Sequence, residues 1–145
     1  MPTLLDTHAW LWWVTEDRRT HAWLWWVTED RRLSRRAGTV IARAQRDNDV
    51  WLSLISVWEI VKKVEKHQLA FDRPLVDWLD AATTMPGLQL AELTRPILVD
   101  SCTLPSPFVG DPADQIIVAT ARHHGAVVVT KDAKIRQYTH ARSIW

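Results

Sequence analysis

Residues Asp111–Asp132 read DPADQIIVATARHHGAVVVTKD. Pro112 suits the first turn of a helix, where its missing N–H leaves no bond unmade. Gly125 suits the left-handed position that closes one. The residues between them make about three turns. Ala126–Thr130 then runs apolar without alternation, so neither face of that strand can meet water. A strand of that kind belongs in a parallel sheet with helices on both sides, and here it is followed within two residues by an acid, Asp132.

The same alternation extends in both directions. Residues 2–6 read as a buried strand and residues 8–14 as a short apolar helix. Ser34 can N-cap a helix over 35–46. Val50–Ile55 reads as a strand, and Ser56 as the start of a helix to about Lys66. A helix over Leu75–Thr83 stops at Pro86-Gly87, Leu88–Leu93 forms a strand, and Pro96 starts a small helix towards Cys102. The loop Pro105–Gly110 precedes the stretch quoted above. A short helix over Asp132–Tyr138 and an edge strand over Ala141–Trp145 close the chain. Strand and helix alternating throughout predict an α/β fold with a mainly parallel sheet. Its cleft is expected beyond the carboxyl ends of the strands.

The 145 residues, 47% hydrophobic and 24% charged, suit a single domain spanning 1–145. One cysteine excludes an intrachain disulfide and a cysteine-based zinc site. No apolar run reaches the roughly 18–20 residues of a membrane span. Residues 1–14 carry no secretory pattern, so a cytoplasmic location and no membrane partner are expected. Tryptophan is out of proportion, with 10 against 1 Tyr and 2 Phe. The cause is a repeat: residues 7–19 and 20–32 both read THAWLWWVTEDRR, and six of the ten tryptophans lie in the two copies. Identity without drift reads as a tandem duplication. Only the first copy follows Leu4-Leu5-Asp6, so 20–32 reads as the inserted copy. Removing 13 residues from 145 leaves 132, with seven tryptophans. A continuous helix across both copies would turn the second tryptophan face by about 220°, and a helical hairpin or an ordered loop extension is the equal alternative. If Trp23, Leu24, Trp25, Trp26 and Val27 find no core, they form an exposed apolar patch.

Four acids stand where the fold predicts a site. Asp6 ends the first strand, Glu59 and Asp114 lie early in helices, and Asp132 follows the last buried strand. Each also fits a capping role. Ser56-Val57-Trp58-Glu59 has the form of a capping box, and Asp6, Asp111 and Asp132 can each cap the helix that follows. Gathered at one edge, however, four carboxylates repel one another unless a cation joins them. Hard oxygen donors suit Mg²⁺ or Mn²⁺, and such ions reach out to phosphate. Nothing in the chain has the spacing of a His/Cys zinc site, a serine-hydrolase elbow or a glycine-rich phosphate loop.

These residues also carry a resemblance. Leu4-Leu5-Asp6-Thr7-His8, Ser56-Val57-Trp58-Glu59-Ile60, Asp111-Pro112-Ala113-Asp114-Gln115 running into Ala119-Thr120-Ala121, and Val129-Thr130-Lys131-Asp132 resemble the PIN domain, and more narrowly VapC-type toxins of bacterial type II toxin–antitoxin pairs. The motifs span nearly the whole chain in the family's order. The resemblance implies a PIN-like three-layer α/β/α sandwich and a Mg²⁺- or Mn²⁺-dependent endoribonuclease acting on RNA. It implies a VapB-type antitoxin that holds the enzyme inactive, and a homodimer. Carried over by position, Asp6, Glu59, Asp114 and Asp132 are the catalytic and metal-binding quartet, Asp111 is auxiliary, and Thr130 orients the metal shell through its hydroxyl. The family's early helices build its antitoxin and dimer surfaces, and the second copy of the repeat falls beside them.

A net charge of +1 gives no broad attraction to nucleic acid, so any RNA groove must be local. Lys131, Lys134 and Arg136 after the last buried strand, with Lys62 and Lys63 one turn beyond Glu59, are its candidates; a solvated helix surface is their plainer reading. Two other functions stay open at the level of sequence. One is a PIN-fold binding protein whose catalysis the duplication has impaired. The other is a receiver-like phosphoacceptor domain, for which Asp6-Thr7 and Leu93-Thr94 are a poor fit.

Overall fold

The computed structural model describes residues 1–16, the backbone of 22–24, and residues 32–145. The strands are β1 (Thr3–Leu5), β2 (Ala22–Leu24), β3 (Val50–Ser53), β4 (Leu69–Phe71), β5 (Leu88–Ala91), β6 (Val127–Val129) and β7 (Ser143–Ile144). The helices are α1 (Thr7–Thr15), α2 (Arg35–Arg46), α3 (Leu54–Glu65), α4 (Leu75–Thr83), α5 (Arg95–Ser101), α6 (Pro112–His124) and α7 (Ala133–Gln137).

Five strands form one sheet in the order β5-β3-β1-β6-β7, and every pairing in it is parallel. Leu4 aligns with Trp51 and Val128, and Leu5 with Leu52 and Val129. Because side chains alternate along a strand, these two rows face opposite sides of the sheet. Leu5, Leu52 and Val129 pack with Trp10, Ile41, Ile60 and Trp78, from α1 to α4. Leu4 and Val128 pack with Ile117, Val118, Ala121 and Ile135, from α6 and α7. Two cores on one sheet make the three-layer α/β/α sandwich, and β6 is buried along its whole length as its composition requires. Among the described residues no helix is long and apolar enough to cross a membrane.

α6 spans the predicted Pro112–His124 and ends at Gly125, whose φ of 59° is the left-handed closure. α2 and α4 have their predicted bounds, with Ser34 capping α2 through the Ala37 amide. Three expectations are corrected. First, α3 begins at Leu54 and is capped by Ser53, so Ser56 lies inside the helix and the Ser56–Glu59 capping box does not form. The strand before it is therefore shorter than expected. Second, no reading placed a strand at β4, three residues between α3 and the helix behind Pro74. Third, no continuous helix crosses the two repeat copies. α1 closes at Thr15, and Ala22–Leu24 of the second copy pairs antiparallel with β4, Trp23 opposite Ala70. Identical tripeptides are thus helical at Ala9-Trp10-Leu11 and extended at Ala22-Trp23-Leu24. The preceding residues explain part of the difference. Asp6 Oδ1 accepts from the Ala9 amide at 2.8 Å and caps α1, whereas the equivalent position before the second copy is Arg19, whose side chain cannot accept. The first copy also holds the core place: Trp10 is fully buried against Trp78 and donates its indole N–H to Ala82 O at 3.1 Å. The remainder of the expected apolar patch, Trp25, Trp26 and Val27, lies outside the described residues.

Candidate functional site

The chain lays β1, β3 and β5 in one direction, then crosses back to place β6 and β7 on the other side of β1. The reversal opens a crevice between the carboxyl ends of β1 and β6. Asp6 leaves β1 there and is 6% exposed. Both of its oxygens are held, Oδ1 by the Ala9 amide and Oδ2 by the Thr130 hydroxyl at 2.5 Å. Thr130 directly follows β6, and its Oγ1 also accepts from the Asp132 amide at 3.0 Å. One hydroxyl therefore fixes Asp6 and the start of the Asp132 loop together. Asp132 accepts from the Lys134 amide and caps α7.

α6 runs back from the crevice towards the start of β6, so its first turn lies at the same edge. Asp111 caps it through the Asp114 amide at 2.8 Å. Asp114 is half-buried in that turn. α3 presents Glu59 from its second turn, where Thr7 donates to Glu59 Oε1 and lies 2.9 Å from Ser56 Oγ. Thr7 is buried and stands next to Asp6, so it joins the carboxyl end of β1 to α3. No sequence reading singled it out as a site residue. Its signal was its place in Asp6-Thr7, which Thr20 of the second copy lacks.

The electrostatics show these acids sharing one region. Burial pushes Asp114 up to about 7, aided by the charges of Asp111, Asp132, Glu59 and Asp6 in that order. Burial raises Asp6 to about 6 against the pull of its Thr130 and Ala9 bonds, with Asp132 adding to the rise. Burial also raises Glu59, opposed by the Thr7 bond and by His8 and Lys63, and reinforced by Asp111.

Comparison with known proteins bears on this arrangement directly. The PIN domain family matches residues 3–141. The ribonuclease VapC22 of Mycobacterium tuberculosis is 34% identical over 147 aligned positions, which cover 97% of this chain and 95% of that one. The chain belongs to the PIN-domain family, in its VapC branch. Its fold matches a chain in the crystal structure of DNA-bound VapBC from Salmonella typhimurium, with a TM-score of 0.65 at 14% identity, over 99% of this chain and 97% of that chain. A chain of VapBC2 from Rickettsia felis, bound to a promoter DNA fragment, matches with a TM-score of 0.60 at 14% identity, over 99% and 98%. At such identities the likeness concerns the fold alone. Family membership removes the receiver-like reading, and β5 is followed by Glu92-Leu93-Thr94, with no acceptor aspartate.

In this PIN domain the donor set at the crevice is entirely carboxylate and hydroxyl oxygen, the chemistry of a hard divalent cation. Among the described residues no three acids already converge as a closed cage. An ion that keeps several waters and takes one or two carboxylates directly does not require one. The oxygen donors of the quartet are of the type such a cation takes, and the mutual repulsion at Asp114 is what it would relieve. The basic candidates lie around this region: Lys131, Lys134 and Arg136 are exposed after β6, while Lys62 pairs with Glu65 at 2.6 Å and lies over the Trp58 ring. A hollow of about 350 Å³ lies instead at the amino edge of the sheet, lined by Arg122, Gly125, His140 and Arg142 among others. Its arginines donate to the carbonyls of His140 and Gly125, so they brace the approach to β7. The acids, lying at the other edge, are the better candidate for chemistry.

Proposed function

We propose that this protein is a Mg²⁺- or Mn²⁺-dependent endoribonuclease toxin, neutralised by a VapB-type antitoxin and working as a homodimer. The observation that carries the reading is the geometry at the carboxyl ends of β1 and β6: Thr130 holds Asp6 and the start of the Asp132 loop together, and Thr7, next to Asp6, holds Glu59. Carboxylates set against one another at a strand-end crevice favour a divalent cation, and the VapC22 relative is a ribonuclease by name. The antitoxin expected from the sequence resemblance is supported by the VapBC complexes among the structural neighbours.

Asp6, Glu59, Asp114 and Asp132 would hold the cation, with Asp111 auxiliary. A divalent cation so bound supplies a water of lowered pKa and charge neutralisation at the attacked phosphate. The chain's own residues do the rest. Thr130 keeps Asp6 Oδ2 in place, the Ala9 amide keeps Oδ1, and Thr7 holds Glu59 Oε1. Burial and the neighbouring carboxylates push the Asp114 carboxyl up to about 7, and a cation held there would favour its ionised form. Lys131, Lys134, Arg136 and Lys62 are proposed to meet the RNA phosphates on either side. The family resemblance implies that the products carry 5′-phosphate and 3′-hydroxyl ends.

The test is cleavage of RNA in Mg²⁺ and in excess chelator by the wild-type chain and by Asp6→Asn and Asp114→Asn. The expected result is cleavage by the wild type in Mg²⁺ only, with at least a hundredfold loss in each variant. Undiminished cleavage by either variant sinks the assignment of that acid. Metal binding without cleavage by the wild type favours an impaired binding protein instead.

A further inference from the structure

The proposed chemistry leaves one group at the crevice unused. His8 occupies the first turn of α1, two residues after Asp6, with an exposed side chain. It is close enough to Glu59 for its charge to oppose the rise of that carboxyl. Its ring stacks on Trp12 one turn further along, with centroids 5.7 Å apart and planes 22° from parallel. Trp12 is itself buried and is gripped edge-on by Trp145, at 5.5 Å and 65°. Trp145 follows β7, whose parallel course brings the chain end to the same edge of the sheet as the acids. The result is a short wall, His8 on Trp12 on Trp145, beside the carboxylates.

We propose that the outer face of His8 is a stacking platform for an unpaired nucleobase adjoining the scissile phosphate. The inference rests on the ribonuclease reading above. Single-stranded RNA offers a base plane at every nucleotide, and aromatic side chains, histidine among them, take such planes irrespective of hydrogen-bond readout. An exposed first-turn histidine ordinarily samples several rotamers. Here the ring already lies against Trp12, so a base would extend an existing stack. His8 lies in the turn that Asp6 itself caps through the Ala9 amide, so the stack stands at the acids' edge of the sheet and not on a distant surface.

The platform is tested by binding of a fluorescent single-stranded RNA that spans a cleavage site mapped with the wild-type enzyme. The Asp114→Asn chain serves as the non-cleaving host, with His8→Ala and His8→Phe built upon it. His8→Ala is expected to weaken binding about tenfold, and His8→Phe to restore it, since stacking needs a ring rather than its nitrogens. An oligonucleotide lacking one base is then examined at each position in turn. At one position next to the cut, loss of the base should weaken binding to the His8 protein about tenfold and bring little further loss with His8→Ala. Additive losses at every position, or unchanged binding by His8→Ala, overturn the proposal while leaving the ribonuclease reading intact. A fall in Tm shared by both His8 variants, with equal weakening, assigns the ring to packing and overturns it as well. If the wild type cleaves no RNA, the functional reading falls and the platform with it.

Discussion

The carboxyl of Asp114 is pushed up to about 7 in the folded chain, against about 3.8 when the chain is open. Between those values the folded state binds more protons than the unfolded state. Stability contributed by the neutral carboxyl is therefore present at low pH and is lost as pH rises from about 4 towards 7. Asp6 follows the same sign up to about 6. In chelator at pH 8, Asp114→Asn should accordingly stabilise the fold by about 1 kcal/mol, once solvent screening of a half-exposed group is allowed for. That corresponds to a Tm gain of roughly 2–4 °C for a chain of this size. The gain should shrink towards zero near pH 4. Saturating Mg²⁺ should reverse the order, because the ion stabilises only the chain that binds it. Thermal melts of both proteins across pH 4–8, with and without Mg²⁺, decide it. A variant less stable than wild type in chelator at pH 8 would contradict the repulsion inferred at this carboxyl.

At the scale of elements, the two copies of THAWLWWVTEDRR pose the sharpest contrast. The first is capped by Asp6 and places Trp10 in the core; the second supplies β2, which pairs with β4. Deleting residues 20–32 should leave the five-stranded sheet, α1 and the acids unchanged, and should expose the edge of β4. The Tm is expected to move by no more than a few degrees, while amide exchange quickens selectively at Leu69–Phe71. Global unfolding of the shortened chain would show that the second copy carries core contacts. The same contrast marks where the sequence is legible. α6 and β6 could be read because their signals are local, a proline, a glycine and an unbroken apolar run. Asp6, Glu59, Asp114 and Asp132 stand out as candidates because each lies at a strand end or early in a helix. β4 could not be read, being three residues long with a partner far along the chain. Nor could Thr7, whose bonds to Ser56 and Glu59 span 49 and 52 residues and exist only once β1 and α3 are neighbours. Ser56 misled because its capping-box pattern was complete, while Ser53 had already opened the helix.

For the whole molecule, charge sets how RNA can be held. A net charge of +1 provides little long-range attraction, so binding must come from a few local contacts. If Lys62, Lys131, Lys134 and Arg136 are the ones, three or four phosphates are neutralised. For a single strand, log K should then fall with log salt at a slope of about −2 to −3. Replacing Lys131 and Lys134 together by alanine should flatten that slope by about 1.4, two contacts at 0.7 each. A rival path exists on the opposite side of the charge balance. α2 carries Arg35, Arg36, Arg43 and Arg46, which together could hold a strand away from the acids. Removing that quartet's charge is expected to leave the slope, and the position of cleavage, as they were. A slope that responds to the α2 arginines and not to Lys131 and Lys134 would move the RNA path to α2. It would also separate RNA binding from the crevice in which the carboxylates lie.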